Sequence, residues 1–200
     1  VAPNDGVYTL SNTIEQAPDK PEYIELTFER GVPVSINGQS LSAVALLEKL
    51  NQIGGVHAIG QVDMVENRLV GIKSRGVYET PGGTILYVAH RQLEQLVQTR
   101  DTLHYKDQIA LKYAELVYDG KWFNPLREAL DAFVAQTQCV VSGVVRLKLY
   151  KGNIQPAGTQ SDYSLYSDAL ASFSDTQLYD QKDATGFIRL FGLSDTVRGR

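Results

Sequence analysis

The stretch from Asp63 to Pro81 carries a density of ionisable side chains unusual for a core element. Asp63, Glu66, Arg68, Lys73, Arg75 and Glu79 surround two short apolar runs, with Tyr78 near the end. Glu66 and Tyr78 are the candidate site residues. A carboxylate is the natural receptor for an α-ammonium group, and a phenol can donate to or accept from a ligand amide or carboxylate. By residue type alone a second reading stands beside this one: Glu66 simply pairs with Arg68 or Arg75, and Tyr78 is a core residue with a wet hydroxyl. Pro81-Gly82-Gly83 then breaks the pattern ahead of a helical segment. Free backbone N–H groups at a helix N-terminus can face an anion, but Pro-Gly-Gly is more often only a turn than an anion nest.

Other signatures are absent. The sequence contains no HExxH, paired CxxC, GxSxG, GxxxxGK[ST] or GxGxxG, so zinc hydrolase, serine hydrolase and common nucleotide-loop readings lose their support. His57, His90 and His104 lie far apart without ligand-like spacing and are read as ordinary hydrogen-bonded or exposed side chains. Cys139 is the single cysteine, which rules out an internal disulfide; it is expected to be a small buried hydrophobe. Tyr105, Tyr113, Tyr118, Trp122 and Phe123 read as core and helix-packing aromatics.

The elements around these residues follow from periodicity. Glu22 to Phe28 alternates as a half-buried strand, with Ile24, Leu26 and Phe28 on one side; Val32 to Ile36 supplies a second strand and Asn37-Gly38 a tight turn. Ser42 caps a helix with Val44, Leu47, Leu50 and Ile53 inward and Gly54 as its stop. The charged stretch forms a strand or two and a polar loop. A helix from about Thr84 to Thr99 follows, with Ile85, Ala89, Leu93, Leu96 and Val97 on one face. A second, capped by Asp101 and ended by Gly120, faces Ile109, Tyr113, Leu116 and Val117 inward. A third starts at Asn124-Pro125, with Leu126, Leu130, Phe133 and Val134 inward. Val144 to Tyr150 and a run from Ile154 make another hairpin, and Asp180 to Phe191 is helix-compatible. Strands and helices in blocks indicate an α+β fold: a mainly antiparallel sheet built from two hairpin units, with several packed helices. Residues 1–21 read as a lead or linker, as though a domain preceded Val1; residues 22–193 form the domain and 194–200 a tail with little to bury alone.

A composition of 43% apolar and 21% charged residues suits a soluble domain with a sizeable core. The net charge of −4, with no basic block, argues against nucleic acid or an anionic membrane as partner. Apolar runs such as Thr84 to Ala89 are far short of the roughly 20 residues that span a bilayer. A cytoplasmic setting is the expectation.

From Pro21 to near Leu193 the chain resembles the C-terminal, synthetase and multimerisation half of the argininosuccinate synthases. The matching segments are Asp63 to Pro81, Tyr113-Ala114-Glu115-Leu116-Val117-Tyr118 followed by Gly120 and Trp122, Ser164-Leu165-Tyr166, and Asp183-Ala184-Thr185-Gly186-Phe187-Ile188. The resemblance implies a ligase of arginine biosynthesis that joins citrulline to aspartate with ATP through citrullyl-AMP, releasing AMP and pyrophosphate. It also implies a homotetramer, with magnesium accompanying the ATP. In the family the glutamate of the Val-Glu-Asn-Arg motif and the tyrosine twelve residues on hold citrulline; here these are Glu66 and Tyr78. The family's Ser-Gly-Gly-x-Asp pyrophosphate loop belongs to an N-terminal half and is not found here. The isolated chain is therefore expected to be inactive, with part of the citrulline site and the oligomer interface as its contribution. It carries no assignable catalytic residue or general base. A non-catalytic amino-acid-binding or assembly module is the alternative.

Overall fold

A computed structural model describes residues 3–4, 6–171 and 180–199. They divide into two compact units, 1–165 and 166–200. Among them are seven α-helices and two antiparallel sheets of five and two strands, an α+β fold.

The larger sheet grows from two hairpins. Strands β1 (Glu22–Glu29) and β2 (Val32–Ile36) turn at Arg30-Gly31, where both φ angles are positive, 49° and 81°. Asn37-Gly38 repeats that conformation, with φ of 49° and 76°, and leads into a short β3 (Gln39–Ser40) absent from the sequence reading. Such turns match the right-handed strand twist and explain why Gly and Asn stand there. The sequence returns to this sheet only after the helices, in β6 (Gly143–Tyr150) and β7 (Asn153–Gln160), giving the order β3-β2-β1-β6-β7.

Ahead of those strands come α1 (Ala43–Val56), the hairpin strands β4 (Gln61–Asn67) and β5 (Lys73–Glu79), and the helices α2 (Pro81–Val97), α3 (Arg100–Tyr118) and α4 (Pro125–Thr137). Strands β6 (Gly143–Tyr150) and β7 (Asn153–Gln160) then turn at Lys151-Gly152, again with both φ positive. β1 pairs with β6 in antiparallel register, Ile24 opposite Leu147 and Leu26 opposite Val145. This puts Ile24, Leu26, Phe28, Val145, Leu147 and Leu149 on one buried face. Helices α1 and α2 bury Leu46, Leu50, Ile85, Ala89, Leu93 and Val97 in the same core.

Several local expectations need correction. On α1 the buried positions are Leu46, Leu50, Gly54 and Gly55, whereas Val44 is 68% exposed. Three-residue spacing drifts around a helix of 3.6 residues per turn, and the four-residue row wins. Gly54 does not stop α1; it lets α2 approach, since a Cβ there would sit 2.9 Å from the Pro81 side chain. Helix α2 begins at Pro81, so Pro-Gly-Gly is its first turn. The cap of α3 is Thr99, whose hydroxyl accepts from Thr102 N, and Asp101 lies inside the first turn. Asn124 caps α4 as expected, accepting from Leu126 N at 2.9 Å.

Helices α3 and α4 bury little: Leu116 is the only buried residue of α3 and Arg127 the only one of α4. Tyr105, Tyr118, Trp122 and Phe123 are exposed, not core, because the described chain places no layer over the outer side of this helix pair. Tyr113 is half-buried and donates to Asp131 at 2.7 Å, and the Arg127 guanidinium lies 4.5 Å from the centre of the Trp122 ring. Polar contacts tie α3 to α2 instead. The Glu94 carboxylate, 1% exposed, meets Lys106 Nζ at 2.8 Å and accepts from Gln138 Nε2 at the same distance. Arg91 grips Asp107 with two hydrogen bonds. Cys139 is half-buried, not buried, with the Arg30 guanidinium donating to its Sγ at 3.4 Å.

The lead before β1 is held against the body from Thr9 onward, with Asn12 N donating to Gly55 O and Ala17 buried. Val1, Ala2 and Asp5 of this lead, and Arg200 of the tail, lie outside the described residues. The second unit contains α5 (Asp168–Ala171), α6 (Asp183–Phe191) and α7 (Leu193–Arg198). On α6, Phe187 and Phe191 stack at 5.3 Å, while Ile188 and Leu190 are also exposed.

Candidate functional site

The charged stretch folds as a two-stranded hairpin. β4 and β5 pair from Gln61 opposite Glu79 to Asn67 opposite Lys73, and Gly71, at φ 85°, closes the loop between them. Side chains alternate across such a ribbon, so its two faces differ in chemistry. Val62, Met64 and Glu66 share one face with Ser74, Gly76 and Tyr78. Asp63, Val65 and Asn67 share the other with Lys73, Arg75 and Val77.

The first face brings the candidate pair together. Tyr78 Oη donates to Glu66 Oε1 at 3.0 Å, although the two residues lie four cross-strand pairs apart in the register. The ring bridges that distance by lying over Gly76. Arg68 adds a guanidinium nitrogen 3.6 Å from the same Oε1 and donates to Ser74 Oγ at 3.3 Å. Of the two arginines weighed from the sequence, Arg68 is the partner of Glu66. The Glu66 side chain is only 12% exposed, though it stands on an open hairpin. Its second oxygen, Oε2, has no donor among the described residues. The hydrogen bond to the Glu66 carboxylate, then partial burial, raises the Tyr78 phenol above its ordinary range. Tyr78 is accordingly a neutral donor at pH 7.

The opposite face is closed on itself. Arg75 binds Asp63 through Nε at 2.7 Å and a terminal nitrogen at 2.6 Å, which holds the Asp63 carboxyl below its usual range. Lys73 Nζ donates to Asn67 Oδ1. These pairs stiffen a ribbon that buries little of its own, and an isolated two-stranded hairpin is at best marginal in water. Tyr118, at the end of α3, adds a hydrogen bond to Asn67 O at 3.2 Å.

Glu79, next to Tyr78, anchors the hairpin's base and was missed by sequence reasoning. Its carboxylate accepts from three successive backbone N–H groups, Thr9 at 2.7 Å, Leu10 at 3.0 Å and Ser11 at 2.9 Å, and from the Ser11 hydroxyl. Burial alone would raise its pKa; the bonds from Ser11, Thr9 and Leu10 together outweigh this and lower it. A depressed folded-state pKa stabilises the fold above the unfolded value, about 4.3, and that stability fades as pH falls through the folded value. Glu79→Gln is therefore expected to cost about 1 kcal/mol at pH 7, with the gap to wild type closing below about pH 4. Urea unfolding at pH 7 and at pH 3.5 checks this, and a gap independent of pH would reject it.

At the N-terminus of α2, Gly82 N donates to Asn51 Oδ1 at 2.9 Å, so that N–H is already committed within the fold. The groove between α3 and α4, about 350 Å³ and lined by Ile109, Tyr113, Asp131 and Val134 among others, does not include Glu66 or Tyr78.

A family model described as "Arginosuccinate synthase C-terminal domain" matches residues 1–198. The chain belongs to the argininosuccinate synthase C-terminal domain family. It is 65% identical over 196 residues to an argininosuccinate synthase of Desulfitobacterium hafniense, covering 98% of this chain and 49% of that relative. An argininosuccinate synthase of Carboxydothermus hydrogenoformans is 63% identical over 198 residues, 99% of this chain and 49% of its own length. One from Desulforamulus reducens is 66% identical over 184 residues, 92% and 46% respectively. The chain thus spans about half the length of the curated relatives it matches. None of the described helices is long and apolar enough to cross a membrane.

Proposed function

We propose that this chain is the C-terminal part of an argininosuccinate synthase, a cytoplasmic ligase of arginine biosynthesis, in which it supplies part of the citrulline site and the oligomer interface. The observation that carries the reading is the Glu66–Tyr78 pair, a shielded carboxylate and a phenol 3.0 Å apart on one hairpin face, in a chain of this family. Glu66 offers its free oxygen to the α-ammonium of citrulline, and Tyr78 fixes the carboxylate while its oxygen can accept from the ligand.

In the complete reaction the citrulline ureido oxygen attacks the α-phosphate of ATP, forming citrullyl-AMP and expelling pyrophosphate. The aspartate amine then attacks the ureido carbon, AMP leaves, and argininosuccinate remains. The residues here bind and orient citrulline; no general base is assigned to them. Holding the two reactants in place supplies a large part of such a rate. ATP and aspartate are proposed to be held mainly by the rest of the enzyme. Magnesium travels with the nucleotide in this reading, and the described residues contain no cluster of three or more histidine, cysteine or carboxylate side chains suited to a metal ion.

The test is release of AMP and pyrophosphate from ATP, citrulline and aspartate by this chain alone and mixed with a separately expressed nucleotide-binding half. Activity only in the mixture is expected; activity of the chain alone, or none with a folded partner half, overturns the reading. In an active enzyme Tyr78→Phe should raise the citrulline KM by about 0.5–1.5 kcal/mol in binding terms, with kcat little changed. An unchanged KM in initial-rate measurements removes Tyr78 from the site.

A second reading, an assembly module, is favoured by the exposed Phe187, Ile188, Leu190 and Phe191 of α6. A homotetramer is the proposed assembly, and light scattering that finds only monomer counts against it.

A further inference from the structure

We propose that Gly76 is a positioning residue for citrulline recognition: its missing side chain is the space across which the Tyr78 ring lies to reach Glu66. This rests on the proposed citrulline site and adds a residue to it. A Cβ built on Gly76 would stand 2.5 Å from both Tyr78 Cε2 and Tyr78 Oη, and 2.6 Å from Cζ. Contacts below 3.0 Å are not tolerated, so one group must move. The hairpin backbone is held by seven cross-strand pairs, whereas Tyr78 is an exposed residue whose ring can swing outward at the cost of its bond to Glu66. The ring gives way.

The position of Gly76 also identifies its purpose. It faces Met64, midway between the pairs Glu66–Ser74 and Val62–Tyr78. Any side chain at this midpoint would separate the two ends of the receptor. Gly76 is not among the residues with positive φ, so the backbone there is open to other amino acids. Glycine in a strand interior weakens it, and close approach by another group is a recognised reason for its presence. Here the approaching group is the Tyr78 ring. With Ala at 76 the fold stands, but Tyr78 Oη no longer donates to Glu66 Oε1, and the carboxylate keeps only the Arg68 guanidinium on that side.

The experiment has two arms. In the first, NMR of the 200-residue chain reads the geometry without substrate. Wild type should show contacts between the Tyr78 ring protons and the Gly76 Hα protons, and ring-current shifts of those Hα that vanish in Tyr78→Ala. Labelled-tyrosine titration should show the Tyr78 phenol falling toward its ordinary pKa in Gly76→Ala. Absence of the wild-type contacts overturns the proposal even if Gly76→Ala fails to fold. The second arm is kinetic, in the complete synthase. Gly76→Ala should raise the citrulline KM about 3- to 10-fold with kcat within about twofold, matching the loss of one neutral hydrogen bond. Adding it to Tyr78→Ala should change nothing further, since the ring it displaces is gone. Multiplying effects in the double variant would show that Gly76 acts by another route and overturn the proposal. If Glu66→Gln raises the citrulline KM and Gly76→Ala does not, the positioning role fails while the citrulline site survives. If neither changes it, the citrulline site itself fails and this role falls with it.

Discussion

Glu66→Gln in the complete synthase is expected to raise the citrulline KM by about 1.5–3 kcal/mol in binding terms, roughly ten- to a hundredfold. The substitution keeps the side chain's shape and leaves an oxygen to accept from Tyr78, so the hairpin face stays assembled. It removes the negative charge that an ammonium group needs. Charge-assisted hydrogen bonds are about twice as strong as neutral ones, and Glu66 is shielded enough for that difference to register. Exposed ion pairs contribute little, and had Glu66 been as open as Arg68 the expected effect would shrink to a fraction of this. The kcat should change little, because the contact exists in both ground and transition states. Initial rates over a range of citrulline concentration check it, and an unchanged KM removes Glu66 from the site.

Glu94→Ala should destabilise the chain by about 3–5 kcal/mol, a large share of the 5–15 kcal/mol typical of a domain. Glu94 is almost wholly buried on α2, where it receives Lys106 from α3 and Gln138 from the segment after α4. Gln138 in turn hydrogen-bonds His90. Removing the carboxylate leaves the Lys106 ammonium facing a small cavity and Gln138 short of an acceptor. Unpaired buried charge costs more than the pair ever contributed. Replacing Glu94 and Lys106 together by Met should therefore recover much of the loss. Urea unfolding followed by circular dichroism at pH 7 measures both, and a loss under 1 kcal/mol in Glu94→Ala would show that the helix layer does not depend on this network.

Much of the larger sheet was legible because its signals are local. The alternation of Ile24, Leu26 and Phe28, the paired residues Asn37-Gly38, and the caps Ser42 and Asn124 each act within a few positions of themselves. The phase of α1 was not legible, because Leu46 and Leu47 are equally apolar and only the direction of the sheet and α2 chooses between them. The aromatic group around Tyr118 and Trp122 looked like core because its residue types usually are; burial depends on what covers a helix pair. At the site, Glu66 and Tyr78 were found from residue chemistry and family resemblance. That they touch was decided by the hairpin register and by Gly76.

The sequence by itself determined the α+β class, the two hairpins and the main helices, since periodicity and turn chemistry are written in neighbouring residues, and with the family resemblance it nominated the candidate pair. Tertiary structure decided which oxygen of Glu66 is engaged, that Arg75 turns away to Asp63, and that Glu79 holds Thr9, Leu10 and Ser11 across at least 68 positions of chain. Those outcomes depend on distances between segments remote in sequence, and a carboxylate carries no local mark of the donor that will fold against it.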